Sequence, residues 1–253
     1  MSITPTFAGG LGNIMFQLAS SYGIAKQLSW KLYIQSNTHR RSQHSSTPYF
    51  EGLLALWKQF DATVKPSHIV NEQNLHPITI QTKGSYLVRG YLQNWAYFWN
   101  YRQEILDLLT FNTEIASKYP RLEESAFIHV RGGDYRVLPH HFVDLSVYYP
   151  RAIATVKAPH YYIFTNDEDY LSKQEWLSSI SYTVVKENEV DSLYLMGQCK
   201  KGAICPNSTF SWWGAFLNID RPICLPSKWF NDPGMYIHGF LFPGTTVIDV
   251  SAP

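Results

Sequence analysis

The chain lacks a charge imbalance, a cysteine framework and any long apolar run, and each absence removes a class of function. Lys and Arg number 21 against 20 for Asp and Glu, so a net charge of +1 gives no broad field for nucleic acid or an anionic membrane. Any anion must be bound locally. Cysteine is limited to Cys199, Cys205 and Cys224, an odd number without zinc-ligand spacing, each in or beside an apolar run. These read as reduced core residues, hence a reducing, cytoplasmic compartment. No stretch approaches the roughly 18 uninterrupted apolar residues of a membrane span. The N-terminus has no charged start followed by an apolar core, so no signal peptide is expected, although a trimmed form of a membrane-anchored protein stays open. Neither repeats nor low-complexity segments occur. No Ser-His-Asp order and no His-Glu-x-x-His spacing points to hydrolysis.

What is present suits a globular chain. With 253 residues and 45% hydrophobic content it can form one large domain or two small ones around a sizeable core. Aromatic residues reach 15%, with eight Trp and 17 Tyr, more than a core usually needs. Exposed aromatic faces suit sugars, while an aromatic-rich core is the more frequent explanation.

Residues 3–8 read as a strand, followed by Gly9-Gly10-Leu11-Gly12-Asn13 and a helical pattern through Met15, Phe16, Leu18, Ala19, Tyr22, Ile24 and Ala25. Glycines at such a turn let backbone approach a ligand, and the helix N-terminus favours an anion. Lys31 to Ile34 read as a second strand, completing a βαβ start. Residues 36–48, with His39, Arg40, Arg41 and His44 among serines, form an expected exposed loop suited to an acceptor, or simply solvated. Strands are expected at 78–82 and 86–92, then a helix from Phe98 to Leu109, with Gln93, Asn94 and Trp95 at the strand-to-helix junction. The polar passage from Asn112 to Glu124 separates two halves, taken as 1–115 and 116–253.

The second half alternates regularly. Strands are expected at 126–130, 161–165, 181–186, 202–205 and, last, 223–225; helices are expected at 145–157, at 168–178, around Leu193 to Met196, and from Phe210 to Leu217. This alternation implies a parallel sheet, whose ligands sit at strand carboxyl ends. Three strands end in polar groups: His129 and Arg131; Thr165-Asn166-Asp167; Asn207-Ser208-Thr209. One of Asn207, Ser208 and Thr209 is placed to cap the last helix, leaving N–H groups for a phosphate with the helix dipole behind them. Trp212 and Trp213 read as packing residues. Asn207-Ser208-Thr209 also matches an N-glycosylation acceptor, discounted at a strand-to-helix junction. Asp167-Glu168-Asp169 invites a metal reading, but acidic residues opening a helix need none.

Four ordered blocks carry a resemblance: Gly9 to Gln17, Ile128 to Tyr135, Asp191 to Met196, and Asn207 to Ala215. Gly90-Tyr91-Leu92-Gln93 and Leu145 through Tyr148-Tyr149 to Ile153 fit as well. Together they resemble glycosyltransferase family 11, the α-1,2-fucosyltransferases, across almost the whole chain. The resemblance implies an α/β, GT-B-like architecture of two Rossmann-like halves with the donor cleft between them. It further implies GDP-fucose as donor, inversion at the fucose anomeric carbon, no cofactor or metal, and a β-galactoside-terminated glycan acceptor.

By the same resemblance Arg131 holds the donor diphosphate, His129 lies near guanine or ribose, and Asp191 binds guanine. Gly10, Leu11, Gly12 and Asn13 form the glycine loop. Ser208, Thr209, Phe210, Ser211 and Trp212 form the phosphate-side helix start, and the polar strand ends add Asn166, Asp167 and Asn207 to the donor set. Arg131, His129 and Asp134 are the catalytic expectation; Asp134, His140, His141 and Asp144 are candidate bases, with orientation of Arg131 the preferred role for Asp134. Two departures stand out, Gly132 where the family carries a second arginine and Ile14 where it carries glutamine. A lost charge-assisted phosphate contact costs about 1.5–3 kcal/mol. Gly132 therefore leaves two rivals, a transferase for another GDP-sugar and a catalytically weak glycan-binding relative.

Overall fold

The computed structural model describes residues 1–35 and 47–251, without the side chain of Asp134. His39, Arg40, Arg41 and His44 of the expected acceptor loop lie outside the described residues. The chain divides into two compact units, Met1–Phe111 with Gly234–Phe242, and Asn112–Pro233 with Pro243–Pro253. The return of 234–242 to the first unit has no counterpart in a simple division at 115/116. Among the described residues no helix is long and apolar enough to cross a membrane.

The first unit holds β1 (Ser2–Pro5), α1 (Leu11–Gln27), β2 (Lys31–Leu32), α2 (Thr47–Glu51), β3 (His68–Asn71), β4 (Ser85–Arg89) and α3 (Arg102–Leu106). Its sheet is parallel in the order β2-β1-β4-β3. α1 is buried nearly all round because Ser20, Ser21 and Gly23 interrupt its large apolar residues and allow close packing. A Cβ at Gly23 would lie 2.0 Å from the Tyr97 carbonyl oxygen.

Two expectations fail in this unit, and one strand goes unread. The stretch 78–82 is not a strand: Pro77 has no N–H, and the Ile78 N–H donates to the Tyr97 hydroxyl at 2.6 Å instead of a ladder. The strand is β3, an exposed edge without hydrophobic alternation and so without a sequence signal. The helix expected from Phe98 to Leu109 breaks into short turns before α3, although Phe98 and Ile105 are core residues.

The second unit contains β5 (Ser125–Val130), α4 (Tyr148–Val156), β6 (His160–Thr165), α5 (Glu168–Ser172), β7 (Tyr182–Val184), α6 (Glu189–Gln198), β8 (Gly202–Ile204), α7 (Thr209–Phe216), β9 (Ile223–Pro226) and β10 (Thr245–Ile248). All pairings are parallel, in the order β10-β9-β8-β5-β6-β7. This is the doubly wound order, in which the first strand is central and the chain winds outward from it twice. β10 follows the strand expected to be last; being partly exposed, it shows no apolar run. The helix expected at 168–178 is α5 followed by a separate turn at Glu175–Ser179, and α4 begins at Tyr148 rather than 145. All three cysteines are free and buried, and burial pushes the Cys199 thiol up to about 12 and Cys224 up to about 11.

Arg221, 7% exposed, supports the face opposite the strand carboxyl ends. Its guanidinium donates to the carbonyls of Met196 (2.7 Å), Cys199, Gly214 (2.8 Å) and Asn218 (3.1 Å) and lies 5.2 Å from the Phe127 ring centroid. These carbonyls belong to the closing turns of α6 and α7, which lack partners within their helices and carry partial negative charge. Burial lowers the Arg221 pKa to about 10. Arg221→Leu is expected to lower unfolding free energy by at least about 3 kcal/mol, since several carbonyls lose their donor at once. An unchanged urea midpoint would show that water satisfies those groups equally well.

Candidate functional site

In the second unit the connection direction reverses between β5 and β8, and a doubly wound sheet leaves a crevice at the carboxyl ends of such a pair. β5 ends at His129 and Val130 and β8 leads into Asn207 and α7, so two of the polar strand ends read from the sequence meet there. The strand ends are pinned from α4. The Tyr149 hydroxyl donates to the His129 carbonyl at 3.0 Å, and the Tyr148 hydroxyl lies 2.5 Å from the Cys205 carbonyl and 2.8 Å from that of Cys224.

His129 is 4% exposed, its ring 5.7 Å from that of Phe210 in the first turn of α7, and its Nδ1 has no hydrogen-bond partner. Burial, then the charge of Arg131, pushes its pKa down to about 3. The imidazole is neutral at physiological pH, offering one donor and one acceptor nitrogen, which suits hydroxyls or a base edge. Arg131 is the cation of this strand end. Its guanidinium lies 4.8 Å from the Tyr135 ring centroid, Tyr135 stacks on His141 (5.1 Å, 18°), and His140 and His141 both pack on Phe230 (5.2 and 5.7 Å).

Asn166 and Asp167, expected among the donor contacts, serve the loop after β5. The Gly132 N–H donates to Asn166 Oδ1 and the Gly133 N–H to Asp167 Oδ2, each at 2.9 Å. Asp167 Oδ1 caps α5 by accepting the Tyr170 N–H at 2.9 Å, and Arg136 lies 3.5 Å from Oδ2. Both oxygens are committed, and the Gly133 and Tyr170 N–H groups hold the carboxyl below its ordinary range. Glu168 pairs with Lys186 (3.0 Å) and Asp169 with Lys173 (2.6 Å), so the three carboxylates diverge. Asp167 takes the capping role read from the sequence.

The β8 end is similarly divided between scaffold and surface. Asn207 Nδ2 donates to the carbonyls of His141 and Trp229, both at 2.9 Å. Asn231 reaches the carbonyls of Pro139 (2.9 Å) and Phe142, and its N–H donates to His140 (3.1 Å). Ser208 is the N-cap position of α7, yet its hydroxyl makes no capping bond; Thr209 and Phe210, partly exposed, open the helix. Ser211 and Trp212, expected to face the phosphates, are fully buried: Ser211 Oγ bonds the Ser208 carbonyl at 3.4 Å, and Trp212 stacks on Phe216 at 5.0 Å. Trp212 and Trp213 thus take the packing role read from the sequence. Asp191 sits in the first turn of α6, the helix that crosses from β7 to β8, and its Oδ2 accepts from Asn188 Nδ2 at 2.6 Å.

The first unit has its own turn of interest. Gly9 adopts φ +80°, Gly10 is the N-cap position of α1 without a side-chain cap, and Leu11, Gly12 and Asn13 form the first helical turn. Asn13 Oδ1 accepts from Gln93 Nε2 at 2.8 Å. Tyr135, Phe230 and Asn231 were not among the expected site residues; the latter two are distant in sequence, and no motif marks them.

A model of the glycosyl transferase family 11 matches residues 6–236. Two Escherichia coli proteins are similar over most of their length. An O-antigen biosynthesis glycosyltransferase, WbnK, is 25% identical, covering 88% of this chain and 93% of its own. An α-1,2-colitosyltransferase is 26% identical, covering 90% and 92%. Among solved structures, fucosyltransferase NodZ from Bradyrhizobium superposes with a TM-score of 0.58 at 14% identity, covering 86% of this chain and 93% of that one. NodZ co-crystallised with GDP gives 0.56 at 14% identity, covering 86% and 92%. At such identity the likeness is one of fold, and it shows the two-unit GT-B architecture of parallel α/β sheets.

The loop geometry makes Gly132 a test position. A Cβ there would lie 2.5 Å from Asp167 Cβ, an atom fixed to the backbone and unable to swing aside. Gly132→Ala is expected to cost about 1–3 kcal/mol of stability through overpacking. A urea midpoint equal to wild type would mean that Asp167 and this loop are not held against each other.

Proposed function

We propose, from the premise that this chain belongs to glycosyl transferase family 11, that it moves L-fucose from GDP-β-L-fucose to a glycan hydroxyl, O2 of a terminal β-galactoside, with inversion. The observation that carries the donor side is the reversal point of the second sheet, where Arg131 follows β5 and the N-terminus of α7, without a side-chain cap, follows β8. A cation and a helix N-terminus at one crevice suit a diphosphate. NodZ, similar in fold, has been co-crystallised with GDP.

In this reading the half of the chain from 116 onward, whose sheet is that of the second unit, holds the donor, and the half up to 115 receives the acceptor. Arg131 and the N–H groups opening α7 stabilise charge growing on the departing diphosphate, an electrostatic role that requires no metal. His129, neutral, hydrogen-bonds nucleoside or ribose. Asn166, Asp167 and Asn207 act through the loops they hold, and Asp191 meets the base from the α6 side. Gly10 to Asn13 offer their backbone as the glycine loop of the site. Asp134 is the orienting or basic group of the strand end, with His140 and His141 as rival bases. Three buried thiols fit a reducing, cytoplasmic setting.

A second reading is favoured by the relative named for colitose: the same machinery with another GDP-sugar. Turnover measured across GDP-fucose and other GDP-sugars separates the two, the preferred donor showing the highest kcat/KM.

Arg131→Ala is expected to stay folded, to lose transfer, and to bind GDP about tenfold to a hundredfold more weakly, as loss of a charge-assisted contact demands. Wild-type turnover in that variant would remove Arg131 from the site. Incubation with EDTA is expected to leave turnover unchanged; activity lost to EDTA and restored by manganese would overturn the metal-free mechanism.

A further inference from the structure

We propose that Glu72, just after β3, is a positioning residue for transfer: its carboxylate fixes the turn that delivers Gln93 to Asn13 of the glycine loop. The inference rests on the reading above only in taking the glycine loop as part of the site.

The turn after β4 is strained. Gly90 has φ +151°, and Leu92, fully buried and not glycine, has φ +52°. Such conformations cost free energy and persist only where surroundings impose them. Here the imposing group is Glu72, whose Oε2 accepts the Tyr91 N–H at 2.8 Å and the Leu92 N–H at 2.9 Å. A Cβ at Gly90 would lie 2.4 Å from Glu72 Cβ, so carboxylate and turn are in close register. The remaining bonds carry that register to the glycine loop. Ser20 Oγ donates to the Leu92 carbonyl at 2.7 Å, and Gln17 Nε2 to the Gly90 carbonyl at 3.1 Å. Gln93, 5% exposed, then reaches Asn13 Oδ1 at 2.8 Å.

Glu72 is an expensive choice for this task. Its other oxygen, Oε1, is buried without a hydrogen-bond partner, and burial raises the pKa above the ordinary glutamate value despite the two N–H groups. A charged acceptor holds two N–H groups more strongly than a neutral one, which is what a strained turn requires.

The test is kinetic. Glu72→Gln conserves shape and removes charge; it is expected to retain its circular dichroism and to lose at least tenfold in kcat/KM, divided between kcat and KM as in Gln93→Ala. Gly90→Ala, which displaces the turn while leaving the carboxylate, is expected to show the same division. The double variant Glu72→Gln/Gln93→Ala is expected to be no worse than the poorer single one, because both act along one path. Wild-type kcat/KM in Glu72→Gln, or effects that multiply in the double variant, would overturn the proposal alone. Wild-type kcat/KM in Gln93→Ala would overturn it together with the place of the glycine loop in the site.

Discussion

A parallel sheet must satisfy the carbonyls at its carboxyl edge where strand pairing stops, and the second unit does so with two adjacent tyrosines. Tyr148 and Tyr149 open α4, and their hydroxyls reach the carbonyls of His129 near the end of β5 and Cys205 just after β8, with Cys224 inside β9 also within reach of Tyr148. A buried carbonyl left without a donor is costly, so the helix and the ends of β5 and β8 settle together. Burial pushes both phenols far above their ordinary pKa, keeping them neutral donors. Everything at the reversal point hangs from strand ends fixed in this way.

The next layer is built from amide side chains. Asn166, Asn207 and Asn231 each bind backbone groups of the segment from 132 to 142, and the aromatic stack beneath Arg131 fills the space between them. A site that stabilises charge gains from side chains held in place before the ligand arrives. That explains why polar residues around the crevice so often face the chain and not the ligand. His129 differs: an uncharged, buried ring with one nitrogen lacking a partner.

How much of this was legible follows from the range of the interactions. The β5 end, the α7 start and the glycine turn were legible because each is local: an apolar run, then polar residues or glycines, then a helical pattern. The hydroxyls of Tyr148 and Tyr149 could be placed on a helix but not assigned to carbonyls, since their partners lie as far away as Cys224. Phe230 and Asn231 carry no local signal. β3 and β10 are edge strands with exposed positions, so the alternation that marks a half-buried strand is missing. Ser211 and Trp212 show two readings in competition: the motif counts both as donor contacts, whereas burial of Trp212 agrees with its reading as a packing residue and Ser211 turns its hydroxyl back to Ser208.

Gly132 illustrates how structure changes the meaning of a departure. Against the family resemblance it looks like a lost cation. In the fold, the space that any side chain at 132 would enter is occupied by Asp167, which at once holds the Gly133 N–H, caps α5 and pairs with Arg136. A cation added at 132 would therefore arrive by breaking the clamp that orders the loop carrying Arg131. Positions 132 and 167 are coupled, and any change at one must be judged with the other, because their effects cannot add while the two groups contend for one volume. The charges agree with this coupling: Asp167 is already engaged by Arg136 at 3.5 Å beside this loop, so a second cation at 132 would compete for a carboxylate that is in use.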